Sequence, residues 1–419
     1  MSLGVVRMRV EVVLTGQELI EGRRRDINTQ ILAGQLHKIG LEIARVTMTG
    51  DDLKEIIEIL DQTSIRADAV IVTGGLGPTV DDRTRDAAAE VFDAPLIESA
   101  QELEVLKDKF VRFGRPMSDS NRRQALFPQG ASVMPNPFGT ACGFYLETRG
   151  RLVFFAPGVP SELEMMASDH IVPLLAARSG KQAVESITLR TFGQTESMLD
   201  QILQPVALGE VRLAFTASFP EIDITLTSIA TSADEAKAKL TPVLAALEEK
   251  IGNFIFSRTS QTMEEALAEL MLQRGLTIAT AESCTGGMVA ARLTNVAGSS
   301  QWFKEGVVTY SNEAKMNRLG VSREILEQFG AVSAQAAEAM ASGIRESTKA
   351  DLGLSITGIA GPSGGSIEKP VGTVYMALAT PVDLKNWHYV FPGNRSRIRT
   401  LITQNALDRV RRWLWSWKS

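Results

Sequence analysis

Leu276-Thr277-Ile278-Ala279-Thr280-Ala281-Glu282-Ser283-Cys284-Thr285-Gly286-Gly287-Met288-Val289-Ala290-Ala291-Arg292-Leu293-Thr294 is the stretch from which the fold class can be read. Leu276–Ala281 is a short apolar run that predicts a buried strand, and Met288–Thr294 predicts a helix. Only small polar residues and glycines separate the two. A strand that turns directly into a helix begins a βα unit, and such units build parallel sheets. Working outward, Thr262–Arg274 reads as a helix closed by Gly275, since glycine suits the left-handed position after a helix. Glu305–Tyr310, Leu352–Thr357, Val374–Ala379 and Trp387–Phe391 read as strands, and a last helix starts near Arg395.

The same alternation opens the chain. Met8–Leu14, Ile43–Met48, Ala69–Thr73 and Leu152–Ala156 read as strands; Asn28–Ile39, Leu53–Leu60 and Arg83–Phe92 read as helices. Between the two α/β regions the texture changes: strands at Ser186–Phe192 and Ile222–Ser228 precede one long amphipathic helix, Ala233–Ile251. The expected architecture is α/β, with two α/β domains (1–167 and 259–419) joined by a small α+β connector (168–258). A chain of 419 residues suits two or three domains at roughly 100–200 residues each.

Composition removes several function classes. Hydrophobic residues make up 44% and charged residues 22%, with a formal net charge of -5. That balance fits an ordinary globular protein and disfavours a nucleic-acid partner, which needs a basic face. The first residues show no apolar core of a secretion signal, and no apolar run approaches a membrane span. There are two cysteines, Cys142 and Cys284, too few for a disulfide framework or a cysteine zinc site. A cytoplasmic location without a membrane partner is expected. The three histidines, His37, His170 and His388, show no metal-binding spacing, so hydrolytic chemistry here must run without a histidine-rich metal site.

Ser283 at a strand-to-helix turn has the placement of a nucleophile, and the glycines Gly286 and Gly287 admit close approach of a substrate to the backbone. Ser283 or Thr285 serves equally well as a helix N-cap. A nucleophilic serine needs a base, and with no histidine nearby Lys315 is the candidate, with Lys369 as its rival and Cys284 as a rival nucleophile. The loop Thr357-Gly358-Ile359-Ala360-Gly361-Pro362-Ser363-Gly364-Gly365 also follows an apolar strand, where ligands bind in open α/β sheets.

AESCTGG (281–287), GSS (298–300), VTYSNEAK (308–315), GAVS (330–333), SITGIAGPSGG (355–365) and KPVGTVY (369–375) together resemble the C-terminal domain of the CinA family, the nicotinamide mononucleotide amidase domain also called PncC. The resemblance covers nearly all of 260–419. It implies hydrolysis of nicotinamide mononucleotide to nicotinic acid mononucleotide and ammonia, with Ser283 as nucleophile, Lys315 as base, Tyr310 nearby and no cofactor. Backbone N–H groups of Gly286 and Gly287 are the candidate oxyanion donors. Glu282, Thr285, Ser311, Thr357, Gly358 and Gly361 complete the expected substrate site, with Arg395 as the candidate partner of the ribose phosphate.

In the first domain, Gly74-Gly75-Leu76-Gly77-Pro78-Thr79 could cradle a phosphate or a pterin, with Asp81, Asp82 and Asp86 just beyond it and Glu18, Asp26, Asp51 and Asp52 in loops after earlier strands. Converging carboxylates suit a hard divalent cation, and aspartates in turns suit capping equally well. GQEL (16–19), DIN (26–28), Gly50-Asp51, GGLGPTVDD (74–82), NPFGT (136–140) and PGVPSE (157–162) resemble the CinA N-terminal domain, related to the molybdopterin-binding MoaB/MogA fold. That resemblance implies a nucleotide site at Gly74, Gly75, Gly77 and Thr79. It also implies a metal site at Glu18, Asp26, Asp51 and Asp82 for magnesium or cobalt, and pyrophosphatase activity on ADP-ribose. Gln17 and Arg23-Arg24-Arg25 depart from the pattern in the first loop. The middle segment resembles the family's KH-like connector, without the GxxG of an RNA reader. A homodimer is a further family-based expectation. The alternative function is a molybdopterin- or nucleotide-binding protein without turnover.

Overall fold

The structure, a computed structural model, describes residues 8–417 apart from 149 and 181; the first seven residues, on which part of the leader reading falls, lie outside it. The chain clusters into two compact units, 1–185 with 228–239, and 186–227 with 240–419.

The first unit holds a six-stranded sheet in the order Ile43–Thr49, Val10–Thr15, Ala69–Thr73, Arg151–Ala156, Gly143–Thr148, Ser132–Met134. The first four strands are parallel and the last two pairings are antiparallel. Val10–Thr15 and Ala69–Thr73 are buried along their whole length, as befits strands covered by helices on both faces. One face packs Val10, Val12 and Ile71 with Leu32 and Leu36; the other packs Val13, Val70 and Val72 with Ile56 and Leu60. The register sets Thr15 beside Thr49, and Leu14 beside Thr73, which pairs with Ala156. Four loops therefore leave one edge of the sheet together.

Residues 168–179 correct the boundary expected at 167. Apolar residues at 163, 166, 167, 171 and 175 recur at helical spacing, and all of them join the core beneath Val10 and Val12. The helical stretch starting at Pro160 runs on through Val172–Ser179.

In the connector, the four strands lie in the order Arg212–Ser218, Glu221–Ala230, Ala183–Thr191, Ile255–Ser257. The helix Ala233–Ile251 contributes Leu240, Val243, Leu247 and Ile251 to a core with Leu189, Ile222, Ile224 and Leu226.

The C-terminal sheet has five strands, in the order Phe303–Val308, Ile278–Glu282, Leu352–Gly358, Thr373–Ala379, Leu384–Val390. The first three are parallel, the rest antiparallel. The expected strands are all present with slightly shifted ends, and Gly275 closes its helix at φ 62. The helix Arg395–Ser416 buries Ile398, Ile402, Leu407 and Val410 against the same core as Ile278 and Val289. Glu282 pairs with Val308 on one side and Ile356 on the other. The chain order reverses across this strand, so three loops open at one switch point, where α/β sheets bind ligands.

Candidate active site

Ser283 is the first residue past its strand. Its N–H donates to the Ile356 carbonyl at 3.0 Å, and its own carbonyl accepts from Gly286 N–H at 3.1 Å. These bonds fix the turn and aim the side chain at the edge of the sheet. Lys315 approaches from the helix Asn312–Leu319, and its Nζ donates to Ser283 Oγ at 3.2 Å, to the Thr309 carbonyl at 2.7 Å and to the Tyr310 carbonyl at 3.4 Å. Ser283 is 8% exposed and Lys315 is 1% exposed. No carboxylate pairs with Lys315 among the described residues. Burial therefore acts on the ammonium without an ion-pair partner and holds its pKa below the usual 10.5, because desolvation penalises the charged form. A neutral amine at this position has two N–H bonds for the two carbonyls and one lone pair left for the Ser283 hydroxyl.

The competing reading of Ser283 as a helix cap does not hold. The helix Met288–Thr294 has no side-chain cap at its N-cap position, Gly287. The buried Glu282 carboxylate serves instead, accepting from the N–H groups of Gly287 at 3.0 Å, Val289 at 3.1 Å and Ala290 at 2.8 Å. The first N–H groups of any helix need such partners. Glu282, expected at the substrate, is thus an anchor of the turn, and it leaves the Ser283 hydroxyl free. The same bonds correct the expected oxyanion donors: Gly287 N–H is held by Glu282 and Gly286 N–H by Ser283. Cys284 and Thr285 are the residues of this turn whose N–H groups donate to no other residue among those described.

The rivals fall away on geometry. Cys284 is 5% exposed, and burial pushes its thiol up to about 12, so it holds its proton. Lys369 donates to the Phe329 carbonyl at 3.0 Å and makes no bond to Ser283. The remaining expected residues divide by role. Thr357 turns inward, its hydroxyl donating to the Ala331 carbonyl at 2.7 Å. Ser311 caps the helix of Lys315 by accepting from Ala314 N–H at 3.0 Å. A Cβ on Gly358 would lie 2.7 Å from the Thr373 carbonyl oxygen, so the glycine allows two backbones to touch. Arg395 donates to the Gly361 carbonyl at 2.8 Å and to the Tyr310 hydroxyl at 3.2 Å. Tyr310 is 62% exposed. Arg395 therefore joins two loops at the open rim of the site. Arg399, one helical turn further, went unnoticed in the sequence; its Nη2 donates to the Thr285 carbonyl at 2.5 Å.

In the first unit, Glu18, Asp26, Asp51, Asp82, Gly74, Gly75 and Gly77 all line one cavity of about 360 Å³. They share the cavity without forming a metal centre: among the described residues, no three His, Cys, Asp or Glu side chains converge closely enough to hold an ion. Each of the expected ligands is engaged by a local partner instead. Asp26 accepts from Thr29 N–H at 3.0 Å, Asp51 from Gln17 N–H at 3.1 Å and Asp82 from Thr79 N–H at 2.8 Å. Glu18 lies 4.0 Å from Arg24. Burial, then the charges of Asp81, Glu18 and Asp82, raise the pKa of Asp51. Gly74, at φ 109, abuts the Thr15 carbonyl, 2.2 Å from where a Cβ would sit, and no other residue fits there. As arranged, these residues do not fit the expected divalent metal, and no metal-dependent step follows from them.

The fold and these two loop-lined edges define a modular α/β protein with a serine–lysine pair in its last domain and a glycine-lined cavity in its first. Residues 260–414 match the family described as the CinA C-terminal domain, 186–257 the damage-inducible protein CinA KH domain, and 11–177 a probable molybdopterin binding domain. A CinA-like protein of Geotalea uraniireducens is 38% identical over 98% of this chain and 99% of its own. A putative competence-damage inducible protein of Acetivibrio thermocellus is 39% identical over 97% and 99%. A CinA-like protein of Citrifermentans bemidjiense is 42% identical over 97% and 98%. The chain belongs to the CinA family. Among the described residues, no helix is long and apolar enough to cross a membrane.

Proposed function

We propose that the C-terminal domain hydrolyses the carboxamide of nicotinamide mononucleotide, giving nicotinic acid mononucleotide and ammonia. The observation that carries this reading is the 3.2 Å contact between Lys315 Nζ and Ser283 Oγ, in a buried setting that lowers the lysine's pKa. Lys315 takes the Ser283 proton as Oγ bonds to the carboxamide carbon, and the carbonyl electron pair moves onto oxygen. Lys315 then returns the proton to the amide nitrogen, the C–N bond breaks and ammonia leaves. Water, deprotonated by Lys315, attacks the acyl carbon; Ser283 Oγ leaves and takes the proton back. Arg395 brings a positive charge to this rim, which suits a substrate carrying a phosphate. The test is ammonia release: purified full-length protein with nicotinamide mononucleotide should release one ammonia per nicotinic acid mononucleotide, without added metal and in the presence of a chelator. No ammonia above the background rate would remove the reading.

A second reading concerns the N-terminal cavity: it binds a hydrogen-bond-donating heterocycle, such as a pterin or a nucleobase, without turning it over. Asn28 is 9% exposed and lines the cavity. Its Nδ2 donates to Thr73 Oγ1 at 3.0 Å and to the Gly158 carbonyl at 3.1 Å, while Oδ1 is buried without a partner. The carbonyl contact fixes the amide orientation, because only the nitrogen can donate to it. A buried acceptor without a partner calls for a donor from a ligand or a water. Asn28→Leu should weaken binding of ADP-ribose about 10-fold or more, read by titration calorimetry. Release of AMP from ADP-ribose would overturn binding without turnover.

A further inference from the structure

We propose that Arg399 is the positioning residue of the oxyanion site, which the N–H groups of Cys284 and Thr285 form. The inference rests on the amidase reading above and adds to it the group that shapes the turn.

The hydrogen bonds of the turn leave little choice of donors. Ser283 N–H is held by Ile356, Gly286 N–H by Ser283 and Met288 N–H by Thr285; Gly287, Val289 and Ala290 N–H are held by Glu282. Cys284 and Thr285 remain. The N–H that follows a nucleophile is placed to meet the oxygen that becomes negative when the nucleophile adds. The Thr285 carbonyl belongs to the peptide just after the two donors, the one that carries Gly286 N–H, so holding it restricts ψ of Thr285 and with it the rotation of the donor peptides. Arg399 prevents the rotation from behind, because its Nη2 donates to the Thr285 carbonyl at 2.5 Å, opposite the weaker bond from Met288 N–H at 3.4 Å. Gly286 is part of the device. It sits at φ 60, and a Cβ there would lie 3.2 Å from Arg399 Nη2. The glycine supplies both the left-handed conformation and the clearance for the guanidinium.

Charge supports the same role. Arg399 has no carboxylate partner among the described residues, and its Nε is buried without a hydrogen bond. Arginine stays protonated when buried, so the turn carries a fixed positive charge at its back. That charge pulls the thiol pKa of Cys284, the neighbour of the nucleophile, down against burial and against the buried Glu282 carboxylate, both of which raise it. The Thr285 hydroxyl is also buried without a partner, so the peptide has no side-chain bond of its own to replace Arg399.

The experiment compares Arg399→Met and Arg399→Lys in the full-length protein with two readouts. The first is steady-state ammonia release from nicotinamide mononucleotide. The second is the rate at which a fluorophosphonate labels Ser283, followed by intact mass, since its phosphoryl oxygen occupies the same site. Arg399→Met should lower kcat about 100-fold, the usual loss for an oxyanion contact, with KM changed less than about 3-fold. It should slow labelling in parallel and leave the thermal midpoint close to that of the wild type. Arg399→Lys, which keeps the charge, should recover part of both rates. If wild type is labelled but releases no ammonia, the substrate assignment fails while slowed labelling of Arg399→Met still upholds the oxyanion role. Unchanged labelling and kcat in Arg399→Met overturn the role, as does a loss in KM alone or no labelling of the wild type at all.

Discussion

Replacing Ser283 by alanine is expected to end ammonia release, lowering kcat by about 10⁴-fold or more, as removal of a covalent nucleophile does in other hydrolases. The protein should remain folded. Ser283 Oγ has one hydrogen-bond partner among the described residues, Lys315, and that amine keeps its bonds to the Thr309 and Tyr310 carbonyls. The turn is held by backbone bonds and by Glu282, none of which uses the hydroxyl. A thermal midpoint within a few degrees of wild type would therefore accompany the lost activity. Cys284 gives the sharpest control. A thiol held near 12 is protonated at neutral pH and a poor nucleophile, so Cys284→Ala should retain most of the rate. Activity that survives in Ser283→Ala and disappears in Cys284→Ala would move the nucleophile to the thiol.

Lys315→Met is expected to cost a further large factor, about 10³-fold in kcat, since it deletes both the base and the proton donor to ammonia. Lys315→Arg should fare no better, because a guanidinium keeps its proton and cannot accept one. The pH dependence separates a general base from a merely electrostatic lysine. Burial depresses the Lys315 pKa below 10.5, with the nearby Cys284 working weakly the other way. The amine is neutral, and able to act, above its pKa. The kcat/KM of the wild type should therefore rise with pH and level off once Lys315 has lost its proton, with the inflection below that of a free lysine. An electrostatic role for the ammonium predicts the opposite slope, with activity falling as pH rises.

The alternation of strands and helices was legible at both ends of the chain because buried parallel strands are short, apolar and bounded by glycine-rich turns. What escaped the sequence reading was structure set by distant partners. The strands Gly143–Thr148 and Arg212–Ser218 and the helix Ala334–Thr348 carry no motif to mark them. Ser283 and Lys315 were nameable from a glycine-bounded turn, a shortage of histidine and the family resemblance. Glu282 was misjudged because its carboxylate caps a helix from the strand side of a turn, a geometry with no local spacing rule. Arg399 was invisible for a different reason. It lies 114 residues from Thr285, on a helix rich in arginine, and only the packing of that helix selects it. The metal site failed on a third ground. Parallel strands do bring their loops together, as expected, but each aspartate there also has a backbone N–H within reach and turns toward it.

The strand that carries Ser283 lies between Phe303–Val308 and Leu352–Gly358, and both are made after it. On the ribosome it therefore emerges with two open edges and waits for each neighbour in turn. An unpaired apolar strand invites pairing with other chains. Lys315 arrives next, and the helix bearing Arg395 and Arg399 arrives last. The full set of groups at the site is thus present only once the helix of Arg395 and Arg399 has emerged. A chain truncated before residue 395 would display the serine turn without either arginine, leaving a nascent product that is inert toward cellular nucleotides and a ready client for chaperones.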